Sequence, residues 1–266
     1  MMVIEREMLE SLVLLKELYR IRGIKAEFEA EGASYQDMVR LRRLTLQAGV
    51  PFYVKIGGVE AVRDMRECME LGVDGIIAPM VESSFGVKKF QDAYKSVFAE
   101  KSHHIAINIE TRQAVAQLEE ILDVARGFVD AITIGRTDLS ASFFDDEVTP
   151  DSEFIWETVE HICKVAGKDF TITLGGNISA TTQEKLPQHE MALRSLECVE
   201  TRKVIFPVDV FLYKTASLSD ALYFEKLFIL SRKATSDCFL EPDLKRLAKL
   251  SERLKQPSPE DYLMEV

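Results

Sequence analysis

The sequence predicts an α/β chain closed into one TIM-type (β/α) barrel, with a helix before the barrel and further helices after it. Short apolar stretches alternate with amphipathic helical ones, the pattern of βαβ units and a parallel sheet. The repeat is roughly 25 to 35 residues, the length of one barrel unit. No Gly-x-Gly-x-x-Gly follows a strand and no Gly-Lys-Ser/Thr loop occurs, so the competing doubly wound sheet lacks its nucleotide fingerprints.

Residues 3–20 carry Ile4, Met8, Leu12, Leu15, Leu18 and Tyr19 at helical spacing, and Gly23 marks the end of that helix. Strands are expected over 24–28, 52–56, 75–78, 105–109, 131–134, 170–174 and 204–206. Helices are expected over 35–47, 59–71, 85–98, 114–124, 153–166 and 186–196. That makes seven strands, where a closed barrel of this type has eight. The N-terminal helix occupies the place of a first strand, so either that strand is hidden or the barrel is incomplete. Helices return over 216–230 and 241–254, and residues 257–266, with Pro257 and Pro259, read as a loose tail. The whole is one domain over 1–266: an N-terminal helix (1–22), the barrel (23–215), C-terminal helices (216–256) and the tail. Terminal helices of this kind suggest a homo-oligomer.

With 47% hydrophobic residues the chain can bury one large core, and its formal net charge is −11. An acidic chain is poorly suited to nucleic acid or anionic lipid, which need clustered Lys and Arg. Arg40, Arg42 and Arg43 form the densest basic spot and read as a solvated helix face. The cysteines Cys68, Cys163, Cys198 and Cys238 contain no Cys-x-x-Cys pair, so reduced thiols are expected. Glu5, Glu7, Glu10 and Glu17 interrupt the N-terminal apolar residues as no secretory or membrane-spanning segment would tolerate. A cytoplasmic location is the expectation.

In such a barrel the reactive groups lie at the C-terminal ends of the strands. The stretch Ile105-Ala-Ile-Asn-Ile109 is followed directly by Glu110, and alternation puts Ala106, Asn108 and Glu110 on one face. The next strand, 131–134, runs into Gly135-Arg-Thr-Asp138. Glu110 and Asp138 thus hold equivalent ends of neighbouring strands. Two ionised carboxylates so close repel unless a cation lies between them, and Mg²⁺ or Mn²⁺ answers that need. Singly, Glu110 reads as the start of a helix and Asp138 as a cap; the pair favours a metal.

Asn108-Ile-Glu-Thr111, 118–124 and Ile134-Gly-Arg-Thr-Asp-Leu-Ser-Ala-Ser142 together resemble the HpcH/HpaI aldolase and citrate lyase β family of phosphoenolpyruvate/pyruvate-type barrels. The segment 72–82 is similar to that family's fourth strand. The resemblance covers 24–142 and fades beyond Phe144. It implies that Glu110 and Asp138 bind Mg²⁺ or Mn²⁺, which a 2-oxo acid then chelates, with no Schiff-base lysine. Asn108 stands where the aldolases usually have Gln. Lys55 stands in place of the family's oxyanion-holding Arg, without its two-pronged contact. Glu29-Ala-Glu31-Gly32 takes the place of a Glu-His pair, so Gly32 replaces the acid–base His. Glu82 matches the acid that supports that His.

The residues so implied are Lys55, Glu82 and Glu31 for catalysis, Asn108, Arg136 and Thr137 for substrate binding, and Glu110 and Asp138 for the metal. Other readings remain open for several. Lys55 could be a structural charge paired with Glu29 or Glu31, Glu82 a helix cap, and Arg136 the partner of Asp145 or Asp146. Gly175-Gly176-Asn177 could offer backbone donors to an anion or be a plain turn, and Asp209 could line the mouth. His103 and His104 fall at the end opposite the chemistry. The expected activity is metal-dependent carbon–carbon lysis, or an aldol reaction, of a pyruvate-like 2-oxo acid or a citrate-like substrate. The alternatives are a metabolite- or partner-binding barrel without turnover and, more remotely, phosphoenolpyruvate-dependent transfer.

Overall fold

A computed structural model describes residues 2–254. Eight strands close into a barrel in chain order: β1 (Gly23–Glu27), β2 (Phe52–Lys55), β3 (Gly75–Ala78), β4 (His104–Ile109), β5 (Ala131–Gly135), β6 (Thr171–Gly175), β7 (Cys198–Glu200) and β8 (Val204–Pro207). Neighbours from β1 to β7 run parallel, but β8 is antiparallel to both β7 and β1, pairing Val199 with Phe206 and Ile24 with Val204.

The barrel is therefore complete, and the strand that the sequence conceals is β7. It is three residues long and flanked by polar Glu197, Thr201 and Arg202, so it shows no apolar run. A tight turn follows. The Thr201 amide donates to the Val204 carbonyl at 2.9 Å, and the Val204 amide donates to Thr201 Oγ1 at 3.0 Å. The returning strand β8 fills the gap between β7 and β1 that a first parallel strand would occupy. Because β8 runs downward, the residues after it lie at the base. Asp209 pairs there with exposed Arg20 at 2.8 Å, so it does not line the mouth.

The helices are α1 (Val3–Tyr19), α2 (Tyr35–Ala48), α3 (Val62–Leu71), α4 (Ser84–Val97), α5 (Arg112–Ala116), α6 (Leu118–Ala125), α7 (Arg136–Ala141), α8 (Glu153–Ala166), α9 (Ala180–Lys185), α10 (Glu190–Ser195), α11 (Val208–Tyr213) and α12 (Ser217–Leu254). The expected helix over 114–124 is two, broken at Gln117, and that over 186–196 is a 3₁₀ turn followed by α10. The two expected C-terminal helices are one: α12 continues through Pro242. Ala221, Phe224, Leu227 and Phe228 bury its first half, while Phe239, Leu240, Leu244 and Leu247 are exposed. The tail 257–266 lies outside the described residues. Among those described, no helix is long and apolar enough to cross a membrane.

Alternation divides each strand between two environments. Ile24, Val54, Ile76, Ile107, Ile132, Ile172 and Val199 join the apolar shell under the helices. Lys25, Glu27, Lys55, Asn108, Thr133 and Glu200 face the barrel axis. Arg40, Arg42 and Arg43 pair with Asp37, Asp74 and Glu5, so acids on neighbouring elements hold the basic cluster.

Candidate active site at the barrel mouth

A cavity of about 570 Å³ opens at the C-terminal ends of β1 to β6 and includes Glu110, Asp138, Lys55 and Asn108 in its wall. A smaller one, about 280 Å³, lies at the base around Tyr53, His104 and Cys198. The mouth carries the chemistry expected of a barrel.

Glu110 follows β4 and is almost fully buried. Its Oε1 accepts from the Met80 amide at 2.9 Å, and its Oε2 from Asn108 Nδ2 at 3.0 Å. It leans across β5 over Gly135: a Cβ there would lie 2.5 Å from Glu110 Oε2. Glu110 does not cap the following helix, because Thr111 does so, its Oγ1 accepting from the Ala114 amide at 3.1 Å. Asp138 sits in the first turn of α7 and is not its N-cap, which is Gly135. Burial raises the pKa of Glu110; the nearby Asp138 adds to the rise, while Lys55 and the Met80 amide oppose it.

Lys55 pairs with Glu27 at 3.1 Å, directly across the β1–β2 register, and not with Glu29 or Glu31. Glu27 also faces Lys25 at 3.5 Å, and Lys25 binds Glu200 at 2.6 Å. Sequence reasoning overlooked these three. The signal for Lys25 and Glu27 was present, as two charges on one face of an otherwise apolar strand. Glu200 lies on the concealed β7. Burial alone would lower the pKa of Lys25, but Glu200 and Glu27 outweigh it and the net shift is upward. Burial likewise works to raise Glu27, yet Lys25 and Lys55 hold it below the usual carboxylate range.

The structure brings together Lys55, Asn108, Glu110, Thr137 and Asp138, and places the other expected residues elsewhere. Glu82 is exposed and outside the cavity wall, and Ser83, not Glu82, caps α4. Glu31 is buried in an ion pair with Lys203, behind the wall, and Arg232 of α12 donates to the carbonyls of Glu31 and Gly32 at 2.9 and 2.8 Å. Neither acid is in a position for proton transfer in the cavity. Arg136 is fully buried and turned away from it. Its guanidinium binds Asp151 at 2.6 Å, the Gly176 carbonyl at 2.9 Å and Thr182 Oγ1 at 3.0 Å, and stacks over Trp156. It ties the β6–α9 loop to α7 and α8, and its acid is Asp151 rather than Asp145 or Asp146.

The residues present fit a hard divalent cation. Such an ion takes one or two carboxylates and completes its shell with water and substrate oxygens. Glu110 and Asp138 supply the carboxylates, and buried Asn108 Oδ1 has no hydrogen-bond partner among the described residues. Among those residues no group of three or more His, Cys, Asp and Glu forms a closed ligand set, which leaves coordination positions for substrate.

Solved structures with the same barrel include an HpcH/HpaI aldolase from Desulfitobacterium hafniense DCB-2. It has 15% identity and a TM-score of 0.60, with 83% of this chain and 89% of that one covered. A variant of the citrate synthase SbnG has 16% identity and a TM-score of 0.57, covering 82% of this chain and 90% of that one. An HpcH/HpaI aldolase/citrate lyase family protein from Burkholderia cenocepacia J2315 has 14% identity and a TM-score of 0.55, with 82% and 90% covered. At these identities the likeness establishes the fold. No curated protein sequence matches the chain. The profile of one family matches residues 47–184, from the start of β2 through the Glu110–Asp138 pair to α9, just over half the chain. By that match the chain belongs to the HpcH/HpaI aldolase/citrate lyase family.

Proposed function

We propose that the protein is a divalent-metal-dependent carbon–carbon lyase or aldolase acting on a pyruvate-like 2-oxo acid or a citrate-like substrate. The observation that carries this reading is the Glu110–Asp138 pair at the mouth, with a lysine across the cavity. A Mg²⁺ or Mn²⁺ ion held by the two carboxylates would act as a Lewis acid on a keto oxygen. Lys55, fixed by Glu27, sets a positive charge near the negative charge that develops on that oxygen. Asn108 orients Glu110 through its amide and offers its free carbonyl oxygen to the metal or to a metal-bound water. Thr137 adds a hydroxyl at the rim. Titration calorimetry with Mn²⁺ tests the reading: Glu110→Gln and Asp138→Asn should each weaken binding by tenfold or more. Equal affinity in wild type and both variants would sink it.

A second reading, a barrel that binds a metabolite or partner without turnover, is favoured by one observation. The position of the family His is Gly32, whose carbonyl is held by Arg232, and the remaining cavity carboxylates, Glu27 and Glu200, are each bound by lysine. Mn²⁺-dependent exchange of pyruvate methyl protons with deuterium oxide, seen by NMR, would exclude it.

A further inference from the structure

The β7–β8 hairpin gives the cavity a second charged end. A barrel unit would place a βα loop at this position; here a three-residue turn projects Arg202 onto the rim instead. The turn is rigid. Thr201 is buried and accepts from the Val204 amide, and Lys203 is buried in its pair with Glu31 and lies 4.1 Å from the Phe228 ring centroid. Between these anchors Arg202 is exposed, lines the cavity, and makes no ion pair or hydrogen bond among the described residues.

The β6–α9 loop forms the adjoining wall with Gly176, Asn177 and Ile178. Arg136 receives the carbonyls of Gly175, Gly176 and Asn177 at 3.4, 2.9 and 3.4 Å. The loop thus spends its acceptors on a buried cation, whereas the amides of Asn177 and Ile178 have no acceptor among the described residues. Gly176, at φ +78°, permits this path: a Cβ there would lie 2.4 Å from the Thr137 nitrogen. Glu200 and Glu225 share this part of the wall, and Lys25 already neutralises Glu200. One planar guanidinium with two amide donors matches one carboxylate, and falls short of what a phosphate dianion needs.

We infer that Arg202 and the Asn177 and Ile178 amides bind a second carboxylate, so that the substrate is a dicarboxylic 2-oxo acid or its adduct rather than a monocarboxylate. The inference rests on the proposed function for the first carboxylate and keto group, at Glu110 and Asp138. It does not need the metal for the second.

Two measurements separate these dependencies. With Mn²⁺ present, calorimetry should show 2-oxoglutarate binding at least tenfold tighter than pyruvate. Arg202→Gln should abolish that preference and leave pyruvate affinity unchanged; Arg202→Lys should restore part of it. Equal affinity of wild type for the two acids, or an equal loss for both in Arg202→Gln, would overturn the inference. The other arm uses chelator-treated protein and succinate, which has no keto oxygen. Succinate should shift the Asn177 and Ile178 amide resonances in wild type and not in Arg202→Gln. Absence of those shifts in wild type overturns the inference. Their presence without any Mn²⁺-dependent 2-oxo acid binding upholds it and instead removes the proposed function.

Discussion

Gly135→Ala is expected to abolish metal binding without altering either carboxylate. A Cβ at this position would stand 2.5 Å from Glu110 Oε2 and 2.8 Å from Glu110 Cβ. The second contact is with the root of the side chain, so rotation of the carboxylate alone does not relieve it. Glu110 must swing away from β5, losing the Met80 and Asn108 donors and its place beside Asp138. Because two carboxylates provide the charge in this site, displacing one should reduce Mn²⁺ affinity by at least as much as Glu110→Gln. Calorimetry on both variants checks this, with the circular dichroism melt as a control for folding. Affinity within twofold of wild type would show that Gly135 does not position Glu110.

Lys25→Met is expected to give the largest loss of stability of any single cavity substitution. Lys25 is buried between Glu200 and Glu27, and Glu27 in turn holds Lys55. Methionine fills similar volume, so the effect is chiefly electrostatic. It leaves Glu200 as a buried carboxylate without its cation. Breaking such a pair costs about 3–5 kcal/mol, because the surviving charge stays desolvated. Urea unfolding at neutral pH measures it.

The pH dependence carries a definite sign. Glu27 has a folded pKa below its unfolded value, so its contribution is present above the unfolded carboxylate pKa and is lost as pH falls through the lowered folded one. In Lys25→Met the strongest influence lowering that pKa is gone. The stability gap between wild type and variant should therefore narrow on acidification below the ordinary carboxylate range. A gap that stays constant down to acid unfolding would show that packing, not charge, is responsible. The Glu200→Gln, Lys25→Met double variant should recover part of the loss, since it removes both charges.

The sequence by itself determined the barrel and the identity of the metal pair. Those features are local. Hydrophobic period, strand-end position and the runs around Glu110 and Asp138 are all written in consecutive residues, and burial of the apolar face enforces them. The resemblance also located Lys55 at the mouth.

What only the tertiary structure decided is how distant segments meet. The eighth place in the barrel goes to an antiparallel strand because a three-residue β7 can turn back. So short a strand pairs through the hydrogen bonds of its neighbours and needs no apolar signature of its own. That same turn buries Lys203 against Glu31, which removes Glu31 from the cavity, and sets Arg202 on the rim. Arg136 follows a strand end in sequence, like the residues of a site. Yet its guanidinium found its acceptors in the β6–α9 loop and Asp151, fifteen or more residues away, and turned outward. Long charged side chains are placed by whichever partners the fold brings within reach, and those partners are not neighbours in the chain. The ladder Glu200–Lys25–Glu27–Lys55 joins β7, β1 and β2 around the closed barrel, so it exists only once the barrel has closed.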